Sequence, residues 1–530
     1  MEKKLQEFIK KHEAMIIHLR KEVCLAYFEA SVTGKQELYK KAADLEIELS
    51  KIYTNKEDFG FVKKVKDSGE IKEDLLKRQL EILYLSYLGY QVDEKKLEAL
   101  INKESEVSQK YSTFRAEFKG GKITDNDINK ILRESTNSKD LEEVWLAHKK
   151  IGTLVAEDIK DLVRMRNEIA GGLSFKNYHQ MQLLLSEQEP TEIEALLNEL
   201  DKLTRDVFAA EKKEIDRVLA AKHGIAEKEL KPWHYGDRYF QEAPEIYKLD
   251  LSKYFENSDP VKITVDFFEG LCLPITDMVQ KSDLYEKPGK NQHAFCIDID
   301  KEGDIRVLCN VKPDFYWMNT LLHEYGHAVY DKYIDHGLPY ILRSPAHIFT
   351  TEAVAMFFGR LPSNPKWLEE IMKISKEEAE KIKRDCFKHS KLNQIVFSRW
   401  VQVMFWFEKG LYENPAQDLN ALWWDLVEKY QLIKKPEGRN EPDWASKIHI
   451  ATSPCYYHNY QLGELFASQI LHFISGGKKA GENSFAGDIK LGEYLKENIF
   501  KHGAKYRWDE LVEKATKEKL SAKYYAKQFV

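Results

Sequence analysis

The feature that most constrains the fold is a succession of long helical patterns in the first half of the chain. Apolar positions recur at intervals of three and four residues, with Lys and Glu on the other face, in 1–30, 35–52, 70–89, 94–119, 138–171, 176–186 and 190–222. Gly120-Gly121 ends one of these helices and Thr124 begins the next with a capping residue. No motif repeats between the segments, which argues against a solenoid. We therefore expect a mainly α protein in which residues 1–120 form a helical lid or scaffold.

One strong β signal follows these helices. Residues Gln292–Ile299 and Ile305–Val311 alternate in strand fashion around a turn at 300–304, which predicts a β-hairpin after a helix near 260–280. Helical patterns then return and continue to the end of the chain. Since no Ser- or Gly-rich linker separates the parts, residues 1–530 are predicted to form a single domain with two lobes.

Composition narrows the class of protein. Hydrophobic residues make up 43% and charged residues 32% of the chain, and the net charge of −6 gives no reason to expect a nucleic acid or an anionic membrane as partner. No apolar run approaches the roughly 20 residues of a membrane span, and the amphipathic N-terminus lacks the features of a signal peptide. No CxxC pair occurs among the six cysteines, Cys24, Cys272, Cys296, Cys309, Cys386 and Cys455. Reduced thiols and a cytoplasmic location are the expectation.

A metal-binding pattern follows the predicted hairpin. In the segment His323-Glu324-Tyr325-Gly326-His327, the two histidines are four residues apart and lie on one helical face, so both imidazoles can reach one ion. Glu324 is adjacent and can act as a base on a metal-activated water. Glu352 lies 25 residues after His327 on the next predicted helix and supplies a third ligand. Two imidazoles and one carboxylate suit a single Zn²⁺ ion.

These motifs carry a resemblance. The segment 309–331, which contains HEYGHAVYD, and the helix TEAVAMFF resemble the gluzincin peptidases. They are most similar to the angiotensin-converting-enzyme family and the related thimet oligopeptidase and oligoendopeptidase family. The resemblance implies a two-lobed helical fold with a central substrate channel, one zinc ion, short peptide substrates and a catalytic core over residues 230–470. At Met356 the chain departs from the acidic residue that orients a zinc histidine in the angiotensin-converting-enzyme pattern.

A second motif resembles the same families. The segment from Lys447 to Tyr460 contains a His followed by a Tyr-x-x-Tyr pair that opens a helix. The resemblance implies that Tyr460 stabilises the oxyanion and that His449 binds the substrate backbone. A phenol has a pKa of about 10 and stays protonated at neutral pH, so Tyr460 can donate a hydrogen bond. His458 is expected to have no catalytic role.

Further substrate contacts follow from the resemblance. In relatives the edge strand of the hairpin pairs with the extended substrate, and His293 and Ala294 lie where such contacts would fall. Gln241, Lys447 and Tyr457 match the residues with which the angiotensin-converting-enzyme family anchors a free C-terminal carboxylate before it releases a dipeptide. A cation with two hydrogen-bonding partners suits that ligand.

The predicted activity is metal-assisted peptide hydrolysis, in which Glu324 takes a proton from the attacking water and passes it to the leaving amine. Three alternatives stay open. An endo-acting oligopeptidase or a metallocarboxypeptidase would cut differently, a zinc-binding peptide carrier would lack catalysis, and a helical scaffold would hold the motif by chance. The sequence leaves side-chain preference, oligomeric state and chloride dependence undetermined.

Overall fold

The computed structural model describes residues 1–247, 249–477 and 483–529. The chain divides into two compact units. The first unit consists of Met1–Gln91, Leu249–Phe387 and Leu462–Gln528, and the second of Val92–Lys248, Lys388–Gln461 and Phe529–Val530. The predicted single-domain assignment stays a prediction, and each unit is considered on its own.

The first unit contains most of the helices and the predicted hairpin. Its helices are α1 (Glu2–Thr33), α2 (Gln36–Tyr53), α3 (Lys56–Ser68), α4 (Asp74–Gly89), α10 (Pro260–Gly270), α11 (Thr276–Lys281), α12 (Phe315–Lys332), α13 (Ile348–Gly359), α14 (Pro365–Glu370), α19 (Ile489–Asn498), α20 (Trp508–Thr516) and α21 (Lys523–Lys527). Its strands are β3 (Phe295–Asp298) and β4 (Ile305–Leu308). The unit boundary falls within α15 (Lys376–Glu413) and within α18 (His458–Ile474).

The second unit is also helical. It contains α5 (Glu94–Thr113), α6 (Asp125–Glu134), α7 (Ser138–Gly172), α8 (Tyr178–Leu185), α9 (Pro190–His223), α16 (Leu419–Gln431), α17 (Ile448–Thr452) and the strands β1 (Ala116–Phe118) and β2 (Gly121–Ile123). Thr124 caps α6 as predicted, because its hydroxyl accepts from the Asp127 N–H at 3.2 Å. The mainly α prediction is confirmed.

Two details of the helical prediction are wrong. The helix predicted over 94–119 ends at Thr113, and its last residues form β1, which pairs with β2 in a second hairpin. The turn holds Lys119 and Gly120 with φ of 50° and 80°, a left-handed backbone that no helix accommodates. The helix predicted near 260–280 is two helices, because Cys272 has a φ of 56° and ends the first. Helix α3 was not predicted from the sequence.

The hairpin after α11 is present as predicted. Strands β3 and β4 are antiparallel, with Phe295 opposite Leu308 and Asp298 opposite Ile305. The Asp298 carboxylate accepts from the Lys301 N–H at 2.9 Å and so stabilises the turn. Within the described ranges β3 pairs with β4 alone, so its second edge has no strand partner, and β3 packs against α12.

The core of the first unit fixes the helices that surround α12. Phe268 on α10 packs against Phe358 on α13, with ring centroids 4.8 Å apart, and Phe267 packs against Trp367 on α14 at 6.1 Å. Aromatic contacts of this kind add to the burial of apolar area. No helix in the described part of the chain combines the length and the apolar character that a bilayer crossing requires.

Candidate active site

Helix α12 presents the HExxH residues on one face. Asp314 caps its first turn, accepting from the Trp317 N–H at 2.8 Å. His323 and His327 follow one turn apart, with ring centroids 5.0 Å from each other and ring planes at 83°. The spacing of four residues places both side chains on the same side of the helix, as the sequence predicts.

The returning helix α13 brings Glu352 to the two imidazoles. The Glu352 Oε2 atom lies 3.8 Å from His323 Nε2 and 3.9 Å from His327 Nε2. One donor atom from each residue lies within 4.8 Å of the others. Donors bonded to zinc at about 2.0–2.2 Å in a tetrahedral arrangement stand about 3.3–3.6 Å apart. The structure therefore brings together the three predicted ligands with a spacing that fits one zinc ion after small side-chain shifts.

Small residues allow the helices around this site to approach closely. A Cβ atom on Gly326 would lie 2.8 Å from the Ala355 Cα atom of α13, and one on Gly463 of α18 would lie 3.1 Å from the Glu352 Cβ atom. A Cβ atom on Gly359 would lie 3.2 Å from the His323 Cβ atom. These glycines were not predicted as site residues, although Gly326 stands inside the HExxH motif.

Both imidazoles are suited to metal binding in their neutral form. Burial lowers the pKa of His323 to about 4, and burial together with the neighbouring His323 ring holds the pKa of His327 well below its usual value. Neutral imidazole is the form that ligates a metal. His327 Nδ1 lies 2.7 Å from the Thr351 hydroxyl, which leaves Nε2 to face Glu352.

The other predicted ligand, His323, has no equivalent hydrogen bond among the described residues. No hydrogen bond in that part of the chain fixes its Nδ1 tautomer, and the Glu352 carboxylate lies 3.8 Å from His323 Nε2. Met356, the position at which the chain departs from the family pattern, offers no donor or acceptor of comparable strength. Thr351 was missed because a threonine next to a ligand has no distinctive sequence signal.

Glu324 is buried on the same helix as the two histidines. The residue is 7% exposed, and burial together with the Glu352 charge raises its pKa to about 8, against a backbone hydrogen bond from Cys296 of β3. Burial and the charge of Glu464 raise the pKa of Glu352 to about 7. A divalent cation between the donors would oppose both shifts, because positive charge favours the carboxylate form.

In the second unit, three residues of the second motif lie together. His449 is on α17, and its ring centroid lies 5.2 Å from that of Tyr457, which lies 5.5 Å from that of Tyr460 at the start of α18. Burial lowers the pKa of His449 to about 4, and its buried Nδ1 has no partner among the described residues. A neutral imidazole carries one N–H donor and one acceptor nitrogen and can therefore bind a peptide group.

The predicted carboxylate-binding residues also meet in the second unit. The Lys447 ammonium donates to Gln241 Oε1 at 2.6 Å and lies 5.1–5.3 Å from the ring centroids of Tyr239, Trp400 and Tyr457. Burial lowers the pKa of Lys447 to about 8. Within the part of the chain that the structure describes, Lys447 forms no ion pair, so its ammonium is held by the Gln241 amide oxygen and by three aromatic faces.

The remaining predicted residues lie as follows. His293 and Ala294 directly precede β3 instead of lying within it, and His293 is exposed, with its N–H donating to Asn291 Oδ1 at 3.0 Å. His458 is buried, and its Nε2 lies 2.7 Å from Gln188 Oε1. This contact agrees with a structural role for His458.

Comparison with known proteins identifies the family to which the sequence is related. The sequence model of the peptidase family described as angiotensin-converting enzyme matches residues 1–529. The chain is 23% identical to angiotensin-converting enzyme of Theromyzon tessulatum over 55% of this chain and 50% of that protein. It is 24% identical to angiotensin-converting enzyme of Mesocricetus auratus over 62% of this chain and 27% of that protein.

A third relative is named as inactive. The chain is 24% identical to the inactive angiotensin-converting enzyme-related protein of Caenorhabditis elegans over 30% of this chain and 18% of that protein. The chain thus spans half or less of the length of these relatives. Because the family model matches nearly every residue, the chain belongs to the angiotensin-converting enzyme family of peptidases.

Proposed function

We propose that this protein is a zinc-dependent metallopeptidase that hydrolyses short peptides. The observation that carries the proposal is the convergence of His323, His327 and Glu352 donor atoms within 4.8 Å, with Glu324 on the same helix. When bound, zinc supplies a Lewis acid and an activated water molecule. His323, His327 and Glu352 would hold the ion as its three protein ligands.

The side chains of the chain divide the remaining work. Glu324 accepts the proton of the attacking water and returns it to the leaving amine. Tyr460 donates a hydrogen bond to the developing oxyanion, and His449 binds a substrate peptide group. Family membership, and not the structure of either unit alone, is the basis for assigning both groups of residues to one reaction.

Replacement of the base tests the catalytic assignment. We expect Glu324→Gln to retain zinc, because the ligands are untouched, and to lower kcat on the order of 10²–10⁴-fold through loss of general base catalysis. Elemental analysis and peptide turnover measure the two effects. His323→Ala serves as the contrasting variant and should lose metal as well as activity. Substantial turnover by Glu324→Gln would reject the assigned role.

We further propose that the enzyme releases dipeptides from free C-termini. The support is the contact of Lys447 with Gln241 at 2.6 Å beside the Tyr457 ring, because a cation with hydrogen-bonding neighbours is suited to bind a carboxylate. Burial raises the pKa of the Tyr457 phenol, which therefore stays protonated and able to donate.

Peptides of graded length with free and amidated C-termini test the mode of cleavage. Mass spectrometry of the products is expected to show successive loss of dipeptides from the free acids and little cleavage of the amides. Equal cleavage of both series at internal bonds would identify an endo-acting oligopeptidase instead. Loss of single residues would identify a carboxypeptidase.

The proposed activity also indicates the substrates and the cellular location of the enzyme. Short peptides are the proposed substrates, and the net charge of −6 gives no electrostatic basis for a nucleic acid partner. We place the enzyme in the cytoplasm, because all six cysteines are free thiols. A zinc-binding peptide carrier is disfavoured because a carrier has no need for the base Glu324.

A further inference from the structure

The segment that carries Gln241 has an unusual backbone conformation. Residues 237–242, here called the receptor loop, lie outside the helices and strands. Phe240 at their centre has a φ of 53°, in the left-handed region that bulky side chains disfavour. Such a conformation persists when the surrounding structure holds it, and it is found most often near functional sites. The Phe240 ring is buried against Tyr235, with centroids 4.8 Å apart.

The buried Asp237 carboxylate accepts hydrogen bonds from backbone N–H groups of the receptor loop. Asp237 Oδ2 accepts from the Gln241 N–H at 2.6 Å and from the Glu242 N–H at 3.1 Å, and Oδ1 accepts from the Tyr239 N–H at 3.2 Å. Asp237 is 8% exposed. A carboxylate that accepts three backbone N–H groups fixes the turn that leads into Gln241.

The buried Gln431 side-chain amide donates hydrogen bonds to backbone carbonyl groups of the receptor loop. Gln431, the last residue of α16, donates its Nε2 hydrogens to the Phe240 carbonyl at 2.8 Å and to the Tyr239 carbonyl at 3.1 Å. Gln431 is 1% exposed. Asp237 and Gln431 therefore hold the peptide groups on both sides of Phe240.

The loop is also tied to Lys447. The Tyr239 hydroxyl donates to the Ser446 carbonyl at 2.6 Å, directly before Lys447, and His148 Nε2 lies 3.1 Å from the same hydroxyl. These contacts connect two segments far apart in sequence, and they bring Gln241 Oε1 to the Lys447 ammonium at 2.6 Å.

We infer that Asp237 and Gln431 are positioning residues that set the preference for a free C-terminal carboxylate by holding Gln241 in place beside Lys447. The inference rests on the proposed carboxylate-binding role of Gln241 and Lys447. Neither positioning residue needs to touch substrate, because both act through the receptor loop.

Gln431→Leu tests the inference without changing charge. The probes are one peptide with a free C-terminus and its C-terminal amide. A hydrogen bond to a charged group contributes a factor of about 10–100, so wild-type kcat/KM should favour the acid by at least that factor. In Gln431→Leu we expect this acid-to-amide ratio to fall about tenfold through a higher KM for the acid, with kcat and the amide reaction unchanged.

Gln402→Leu is the matched control. Gln402 is another fully buried glutamine of the second unit, and its Nε2 donates to the Leu197 carbonyl at 2.8 Å instead of to the receptor loop. We expect its acid-to-amide ratio to equal that of wild type. Equal losses in both variants would overturn the inference, because the effect would then be general destabilisation.

Asp237→Asn provides a second test should Gln431→Leu fail to fold. Asparagine keeps the volume and one accepting oxygen, so the ratio should fall while circular dichroism stays unchanged. An unchanged ratio in a folded variant would overturn the inference and leave the proposed peptidase intact. A wild-type enzyme that hydrolyses acid and amide equally would overturn both the inference and the proposed cut, but not zinc-dependent hydrolysis.

Discussion

His327 and His323 differ in how their rings are held. The Thr351 hydroxyl lies 2.7 Å from His327 Nδ1, whereas among the described residues His323 has no comparable partner. A hydrogen bond on the far nitrogen fixes the tautomer and ring orientation of a metal ligand. The two ligands are therefore expected to respond differently to changes in their surroundings.

Thr351→Val should weaken metal binding. The substitution keeps the shape and removes the oxygen beside His327 Nδ1, so we expect zinc affinity to fall about 10–100-fold. Competition with a chromogenic chelator measures the affinity. Thr351→Ser keeps the hydroxyl and should restore most of it. Unchanged affinity in the valine variant would show that Thr351 does not orient His327.

The proposed recognition of a carboxylate by the Lys447 ammonium should depend on pH. Burial lowers its pKa to about 8, so the charged form dominates below that pH and is lost above it. For a free-acid peptide we expect KM to be constant at lower pH and to rise about tenfold for each unit above the pKa. The amide serves as control, since its KM does not depend on this charge. Parallel profiles for the two peptides would contradict the role of Lys447.

At the level of elements, the site depends on the close approach of α12 and α13. Gly326→Ala would place a Cβ atom 2.8 Å from the Ala355 Cα atom, and overpacking of this kind costs about 1–3 kcal/mol. Because a shift of α13 moves Glu352, we expect lower zinc affinity as well as lower stability, measured by chelator competition and thermal unfolding.

Gly60→Ala is the control for this substitution. Gly60 lies in α3 of the same unit, and a Cβ atom there would meet no atom within 4 Å. Alanine in an open helical position stabilises by about 0.5–1 kcal/mol. If Gly326→Ala behaved like Gly60→Ala, the close approach would not limit the site.

The elements also show where helical periodicity is informative. The bounds of long amphipathic helices such as α7 and α9 are predicted within a few residues. A helix that buries one face has apolar residues in every turn, so the pattern extends along its whole length. The β1–β2 hairpin was missed, because three residues per strand are too few to show an alternation and the turn at Gly120 reads equally well as a helix end.

At the level of the whole molecule, zinc should stabilise the folded state. A ligand that binds the native protein alone stabilises it by about 2.7 kcal/mol at a hundred times its Kd. We expect the thermal midpoint of the metal-free protein to rise on addition of zinc and the rise to be absent in His323→Ala. His336→Ala, which changes an exposed histidine, should keep the rise. A full rise in His323→Ala would place the metal elsewhere.

The sequence by itself determined the helical class, the HExxH pair and the carboxylate on the next helix, because these depend on spacing along one or two elements. The tertiary structure decided what depends on distant segments. Thr351 beside His327, Gly463 against Glu352, and Asp237 and Gln431 around Phe240 are examples. Such contacts join residues whose separation in sequence carries no periodic signal, so no local pattern reports them.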